Sequence, residues 1–209
     1  MSVRVVLIVR MPPTLEAEKL TQMAANYNSL PPNLPVPQDD GAARHLEGLE
    51  LPDLRLPLAA GGELGLRDAA AGTLVAFVYP RTGTPGQPLV PGWDDIPGAR
   101  GCTPQSCGFR DSHEELKQLG ASVVGISAME IDEQRAFAER EHLPYPLAND
   151  ADLVLARALR LPTFEVHGAT LLKRLTFVGR AGLIEKVFYP VFPPDRNAAE
   201  VLAWLSAPA

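Results

Sequence analysis

The chain has 209 residues, 46% of them hydrophobic, which is ample for one packed domain with a small appendage. Its formal net charge of −6 argues against sequence-independent binding to nucleic acid, for which a basic face is required. The apolar run Val5 to Val9 is bracketed by Arg4 and Arg10 and is too short for a membrane span or a signal-peptide core, so a cytoplasmic protein with no membrane partner is expected.

In chain order, Val3 to Val9 reads as a strand, and Thr14 to Asn28 as a helix opened by a Thr cap with Glu16 and Glu18 in its first turn. Pro31, Pro32, Pro35 and Pro37 then make a stiff linker ending at Asp39 and Asp40. Residues 1–40 are therefore read as an N-terminal strand-helix extension with its linker, and residues 41–209 as the main domain. Within that domain a strand is predicted at Leu74 to Tyr79, a helix from Cys102 to Leu119, a strand at Ser122 to Ser127, and helices at Asp132 to Glu141 and Asp152 to Leu159. Strands at Thr163 to Val166, Leu171 to Val178 and Ile184 to Val191 follow, and a helix at Ala198 to Leu205 closes the chain. Strand–helix alternation passing into a hairpin and a last helix predicts an α/β sandwich.

Both cysteines of the chain, Cys102 and Cys107, fall inside the eleven-residue stretch Gly101 to Asp111. So short a loop removes little chain entropy, and a structural bridge is not expected. Pro104 is tolerated in a first helical turn, helix formers follow through Leu119, and Gly120 is a stop. Cys102 thus belongs at a helix N-terminus, where unpaired N–H groups and the positive end of the macrodipole favour a thiolate. Residues five apart on an ideal helix have Cα atoms roughly 8.6 Å apart. A disulfide needs about 4.4 to 6.8 Å, so any bridge between Cys102 and Cys107 requires a turn to unwind. The competing readings are half of a zinc site and a pair of inert buried thiols. His45, His113, His142 and His167 are scattered without a finger-like spacing, which leaves a zinc site without its second half.

Gly101-Cys102-Thr103-Pro104-Gln105-Ser106-Cys107-Gly108-Phe109-Arg110-Asp111 resembles the peroxiredoxins, and within them the Q type, whose active-site helix reads Gly-Cys-Thr-x-x-x-Cys-x-Phe-Arg-Asp. Leu119 to Ser127, Phe137 to Leu147 with Asn149 and Asp150, and Arg174-Leu175-Thr176-Phe177 before the Ala181-Gly182 turn extend the likeness over roughly residues 46 to 206. The resemblance implies a thioredoxin-like fold, a mixed central sheet flanked by helices, which the alternation of elements suits. It implies a thiol-dependent peroxidase acting on hydrogen peroxide or organic hydroperoxides, with no metal and no organic cofactor. Cys102 would be the peroxidatic cysteine, Cys107 the resolving one, and thioredoxin or a similar dithiol the reductant. Arg174 would lie beside the sulfur, where a permanent cation favours the thiolate and polarises the peroxide; a strand-end arginine in a surface ion pair is the plainer alternative. A monomer or weak homodimer is expected. A redox sensor or disulfide exchanger without peroxidase turnover is the alternative function, although such modules more often carry Cys-x-x-Cys.

One departure stands out. The family's Pro-x-x-x-Thr-x-x-Cys fails immediately before Cys102, where Asp95 and Ala99 occupy the Pro and Thr positions. Upstream, Tyr79-Pro80-Arg81-Thr82-Gly83-Thr84-Pro85-Gly86 carries Pro80 and Thr84 at the right internal spacing, and the cysteine due at Gln87 comes fifteen positions later. An insertion from about Gln87 to Gly101 is inferred, folded against the body because it carries Trp93 and Ile96. Either Thr84 keeps the hydroxyl role, with Trp93 or Arg100 shaping the peroxide entrance, or Thr103 or backbone N–H groups replace it.

Overall fold

The computed structural model describes Tyr27 and residues 29–207. The strand at Val3 to Val9 and nearly all of the helix at Thr14 to Asn28 fall outside the described residues.

The elements are β1 (Arg55–Pro57), β2 (Glu63–Gly65), α1 (Leu66–Ala69), β3 (Thr73–Val78), α2 (Cys102–Asp111), α3 (His113–Gln118), β4 (Ala121–Ser127) and α4 (Ile131–Arg140). There follow β5 (Leu147–Asn149), α5 (Val154–Leu159), β6 (Thr163–Val166), β7 (Ala169–Leu172), β8 (Leu175–Arg180), β9 (Leu183–Phe188) and α6 (Asn197–Ser206). Five strands form a mixed sheet in the order β5-β4-β3-β8-β9, parallel from β5 to β3 and antiparallel from β3 to β9. This is the predicted thioredoxin-like architecture.

Helices cover both faces of the sheet, so its central strand is apolar on both sides. Leu74, Ala76 and Val78 of β3 pack with Leu155, Ala156 and Leu159 of α5 in one cluster. The alternate residues Val75 and Phe77, with Tyr79 after the strand, pack with Phe109, Leu116, Phe137 and Val201 in the other, and Cys102 belongs to this second cluster. Phe77 stacks on Phe109 at 4.6 Å between ring centroids, which fixes α2 against the sheet.

Three departures from the sequence reading bear on the site. The single helix expected from Cys102 to Leu119 is two, because Ser112 opens to ψ 4° between α2 and α3. The strand expected at Leu171 to Val178 is also two. β7 pairs with β6 as a separate hairpin and β8 enters the main sheet. At the break, Lys173 N–H donates to the Pro162 carbonyl at 2.8 Å and its ammonium to Asp40 at 2.7 Å, leaving Arg174 to turn inward. The three-residue strands β1, β2 and β5 are too short to give a periodic signal.

The Gln87–Gly101 segment, read from the sequence as an insertion, is folded, as its apolar residues require. A 3₁₀ turn at Trp93–Asp95 sets Trp93 into a small cluster with Ala99 and Leu171, against which Ile96 and Phe164 pack. The β6–β7 hairpin therefore supplies the apolar surface that the inserted segment covers.

Candidate active site

Cys102 is the first residue of α2, and Gly101 before it adopts φ 103°, ψ 20°. Only glycine takes that conformation without strain. A Cβ on Gly101 would also meet Pro194 Cγ at 2.3 Å and Leu30 Cδ2 at 2.8 Å. The chain thus enters α2 through a point with no room for a side chain. Pro104 carries no N–H, so its place in the first turn leaves no donor unpaired there.

The Cys102 side chain is 3% exposed. Its sulfur receives Arg174 Nη2 at 3.2 Å and lies 3.7 Å from the Ala99 carbonyl oxygen. Arg174 is also 3% exposed. Its guanidinium donates from Nε to Gly98 O at 3.3 Å, from Nη2 to Ala99 O and Arg100 O at 3.1 Å each, and from Nη1 to Gln105 Oε1. No carboxylate is among these partners, so its positive charge is solvated by neutral oxygens and stays available to the sulfur. A guanidinium suits this role because its donors radiate in one plane.

Three of the four oxygens that hold Arg174 come from the end of the inserted segment. That contribution is made by the backbone and leaves no side-chain signal. Trp93 and Arg100 were the side chains expected at the entrance. Trp93 is buried against Phe164, and Arg100 pairs with Asp94 at 3.4 Å and lies over the Tyr27 ring at 5.5 Å. Tyr27 in turn donates its hydroxyl to the Gln87 carbonyl at 2.6 Å, so this one side chain touches both ends of the Gln87–Gly101 segment.

Pro80 is buried directly after β3, and its carbonyl accepts from the Ser127 hydroxyl at 2.9 Å. Thr84 is exposed and lines a groove with Gln87, Pro88 and Trp93, and its hydroxyl makes no hydrogen bond to the sulfur among the described residues. Thr103 is 3% exposed beside Cys102, and Thr82 is buried with its hydroxyl 3.7 Å from Met129 Sδ. The structure therefore brings Cys102 and Arg174 into contact and leaves Thr84 exposed, without a hydrogen bond to the sulfur among the described residues.

Both cysteines are free and share α2. Cys107 is half-buried, with its thiol 3.8 Å from Glu141 Oε2. Burial pushes this thiol upward, the Arg110 charge draws it down, and the Glu141 carboxylate pushes it up again. The turn that carries it is fastened by Tyr145 Oη donating to Ser106 O at 2.6 Å and Arg110 Nη1 donating to Glu141 O at 2.9 Å.

Residues that sequence reasoning did not single out complete the site. Gln105 and Asn197 are buried, and Gln105 Nε2 donates to Asn197 Oδ1 at 3.0 Å. Gln105 follows Cys102 by three positions on one helix, a spacing that puts both on the same face. Nothing in the local sequence marks Asn197. A cavity of about 340 Å³ lies along Arg174, walled by Ile96, Pro97, Phe164, Pro190 and Val191. Among the described residues no group of His, Cys, Asp and Glu is arranged to hold a metal.

Residues 46–202 match the Redoxin family model. The chloroplastic peroxiredoxin Q of Gentiana triflora is 30% identical over 185 residues, 86% of this chain and 77% of that protein. The corresponding protein of Sedum lineare is 29% identical, over 88% of this chain and 89% of its own length. Among solved structures, peroxidoxin BcpB from Mycobacterium tuberculosis aligns with a TM-score of 0.62 at 30% identity, covering 76% of this chain and 95% of that one. Peroxiredoxin Q from Xanthomonas campestris aligns at 0.60 and 28% identity, covering 75% and 94%.

Proposed function

This chain belongs to the redoxin family as a peroxiredoxin of the Q type, a thiol-dependent peroxidase, and on that premise we propose that Cys102 is its peroxidatic cysteine and Cys107 its resolving one. The observation that carries the proposal is the 3.2 Å contact between Arg174 Nη2 and the Cys102 sulfur at the start of a ten-residue helix. The guanidinium and the unpaired N–H groups of the first turn both favour negative charge on that sulfur. The reduction of peroxide then runs as a displacement. The thiolate attacks one oxygen of the peroxide, the O–O bond breaks, and the departing alkoxide or hydroxide takes a proton and leaves as alcohol or water. Sulfur gives up two electrons and becomes a sulfenic acid. Arg174 is placed to hold charge on the oxygen that leaves as well as on the sulfur that attacks.

Cys107 next attacks the Cys102 sulfur. The S–S bond forms, the S–O bond breaks, and the Cys107 proton leaves with the hydroxide as water. Because the two cysteines lie on one helix, this step unwinds α2 between them and releases the Ser106 and Arg110 contacts to Tyr145 and Glu141. A dithiol of the thioredoxin kind returns two electrons and allows α2 to re-form. Recycling of this kind needs a reducing compartment, and we place the protein in the cytoplasm, acting as a monomer or weak homodimer.

One structure of the Xanthomonas campestris relative is described in terms of alkyl peroxide reduction. The cavity along Arg174, whose lining is mostly apolar but includes Gln38 and Lys173, supports an organic hydroperoxide as a substrate here too. Pro80 is assigned no contact with the sulfur, its carbonyl being taken by Ser127, and Thr84 is assigned no contact with the peroxide in this conformation. The test is the mass of the oxidised protein after one equivalent of peroxide. Wild type is expected to yield the Cys102–Cys107 disulfide, and Cys107→Ser a sulfenic or overoxidised Cys102. A wild-type protein that forms the disulfide only slowly and without turnover would replace the assignment with a redox module.

A further inference from the structure

Arg174 has donors only, and that property fixes hydrogen-bond directions well beyond it. Because Nη1 donates to Gln105 Oε1, the Gln105 amide must turn its Nε2 the other way, toward Asn197. Asn197 answers with Oδ1 at 3.0 Å, and the same oxygen accepts the Thr176 hydroxyl at 2.6 Å. Gln105, Thr176 and Asn197 are each 0% exposed, so bulk solvent does not reach any of these partners. Asn197 Nδ2 is left buried with no partner. The reversed Asn197 amide would set Nδ2 against Gln105 Nε2, donor against donor. An orphaned buried donor is unfavourable, and its presence here shows that the orientation of Oδ1 is set by the Gln105 and Thr176 donors.

We propose that Asn197, the first residue of the last helix, is a positioning residue for Arg174. Acting through Gln105, it holds the amide in the one orientation that presents an oxygen to the guanidinium. The relay runs Thr176, Asn197, Gln105, Arg174, Cys102, and it ties the start of α6 to the reactivity of a sulfur on α2. Without the Asn197 acceptor, Gln105 Nε2 loses its buried partner, and the amide is free to rotate and face Arg174 with a donor. The guanidinium then loses its one side-chain acceptor and shifts within the Gly98, Ala99 and Arg100 carbonyls that remain, which lengthens its contact with the sulfur. This inference rests on the reading that Arg174 activates Cys102.

The second-order rate constant for oxidation of Cys102 by hydrogen peroxide tests both levels separately, measured for Arg174→Lys, Asn197→Ala, Gln105→Glu and the Asn197→Ala/Gln105→Glu double variant. Arg174→Lys is expected to slow oxidation about a hundredfold, and an unchanged rate there overturns the reading of Arg174 itself. Asn197→Ala is expected to slow it about tenfold in the wild-type background. In the Gln105→Glu background it should slow it less than about twofold, because a carboxylate offers Arg174 an oxygen in either orientation. A merely structural role for Asn197 would cost the same in both backgrounds, and that result overturns the proposal, as does a normal rate for Asn197→Ala beside a slow Arg174→Lys. Should Asn197→Ala not fold, Asn197→Asp retains the acceptor and is expected to oxidise within about threefold of wild type. A tenfold or greater loss in that variant also overturns the proposal.

Discussion

Replacing Gly101 by Ala probes the point where the chain enters the active helix. Two independent effects act there. An alanine at φ 103° and ψ 20° is strained by about 1 to 3 kcal/mol. Its methyl group would also meet Pro194 Cγ at 2.3 Å, a ring atom that cannot swing aside, and Leu30 Cδ2 at 2.8 Å. Overpacking of this kind costs about 1 to 3 kcal/mol more. The sum, about 3 kcal/mol or above, is a large part of the stability of an ordinary domain. With a urea dependence near 2 kcal/mol per molar, the unfolding midpoint should fall by about 1.5 M. Relief of the clash must come either from the 3₁₀ turn at Pro194–Arg196, which packs beside α2, or from α2 itself. Movement of α2 carries Cys102 off Arg174, so peroxide should oxidise the folded variant about tenfold more slowly than wild type. Urea unfolding followed by far-ultraviolet circular dichroism, and stopped-flow oxidation, read the two quantities separately. An unchanged midpoint together with an unchanged rate would refute the argument that this glycine is required by conformation and space.

Trp93→Ala should remove the anchor of the inserted segment, costing about 3 kcal/mol or more if the loop remains docked and less if it detaches. Faster proteolytic cleavage between Gln87 and Gly101, together with slower Cys102 oxidation, is the expected result, because that segment supplies the carbonyls that hold Arg174. Glu141→Gln removes one cause that raises the Cys107 thiol, so its apparent pKa should fall and its alkylation at pH 8 should quicken in a Cys102→Ser background. A pH profile of iodoacetamide labelling measures this, and an unshifted or upward-shifted profile contradicts it. Ile96→Asp places a charge in the apolar wall of the cavity along Arg174. It should lower kcat/KM for cumene hydroperoxide by about tenfold and for hydrogen peroxide by less than about twofold, whereas equal losses would disconnect the cavity from substrate choice.

Much of this arrangement was legible in the sequence. The thioredoxin-like alternation carried through because the long strands and helices have strong periodic patterns, and Thr163–Val166 came out at its predicted bounds. The contact of Arg174 with Cys102 was expected only through the resemblance of their two short motifs to the peroxiredoxins. What escaped has three physical origins. Strands of three residues, such as Leu147–Asn149, present no period to read. The break between β7 and β8 depends on a tertiary hydrogen bond from Lys173 to Pro162 and an ion pair to Asp40, neither visible in local sequence. The role of the insertion lies in the carbonyls of Gly98, Ala99 and Arg100, groups that every residue possesses and no motif records. Counting positions left the hydroxyl open between Thr84, which is exposed, and Thr103, which is buried beside Cys102. Asn197 illustrates the same limit, since its importance arises only when α6 is laid against the turn of α2 that holds Gln105.

The central claim is that Cys102, activated by Arg174 and resolved by Cys107, turns over peroxide. Its most direct test is peroxide-dependent NADPH oxidation coupled through thioredoxin and thioredoxin reductase, compared among wild type, Cys102→Ser and Cys107→Ser. Sustained turnover by wild type, none by Cys102→Ser, and a single turnover by Cys107→Ser is the predicted pattern. Equal turnover by wild type and Cys102→Ser, or none by wild type while its Cys102 oxidises only slowly, would contradict it.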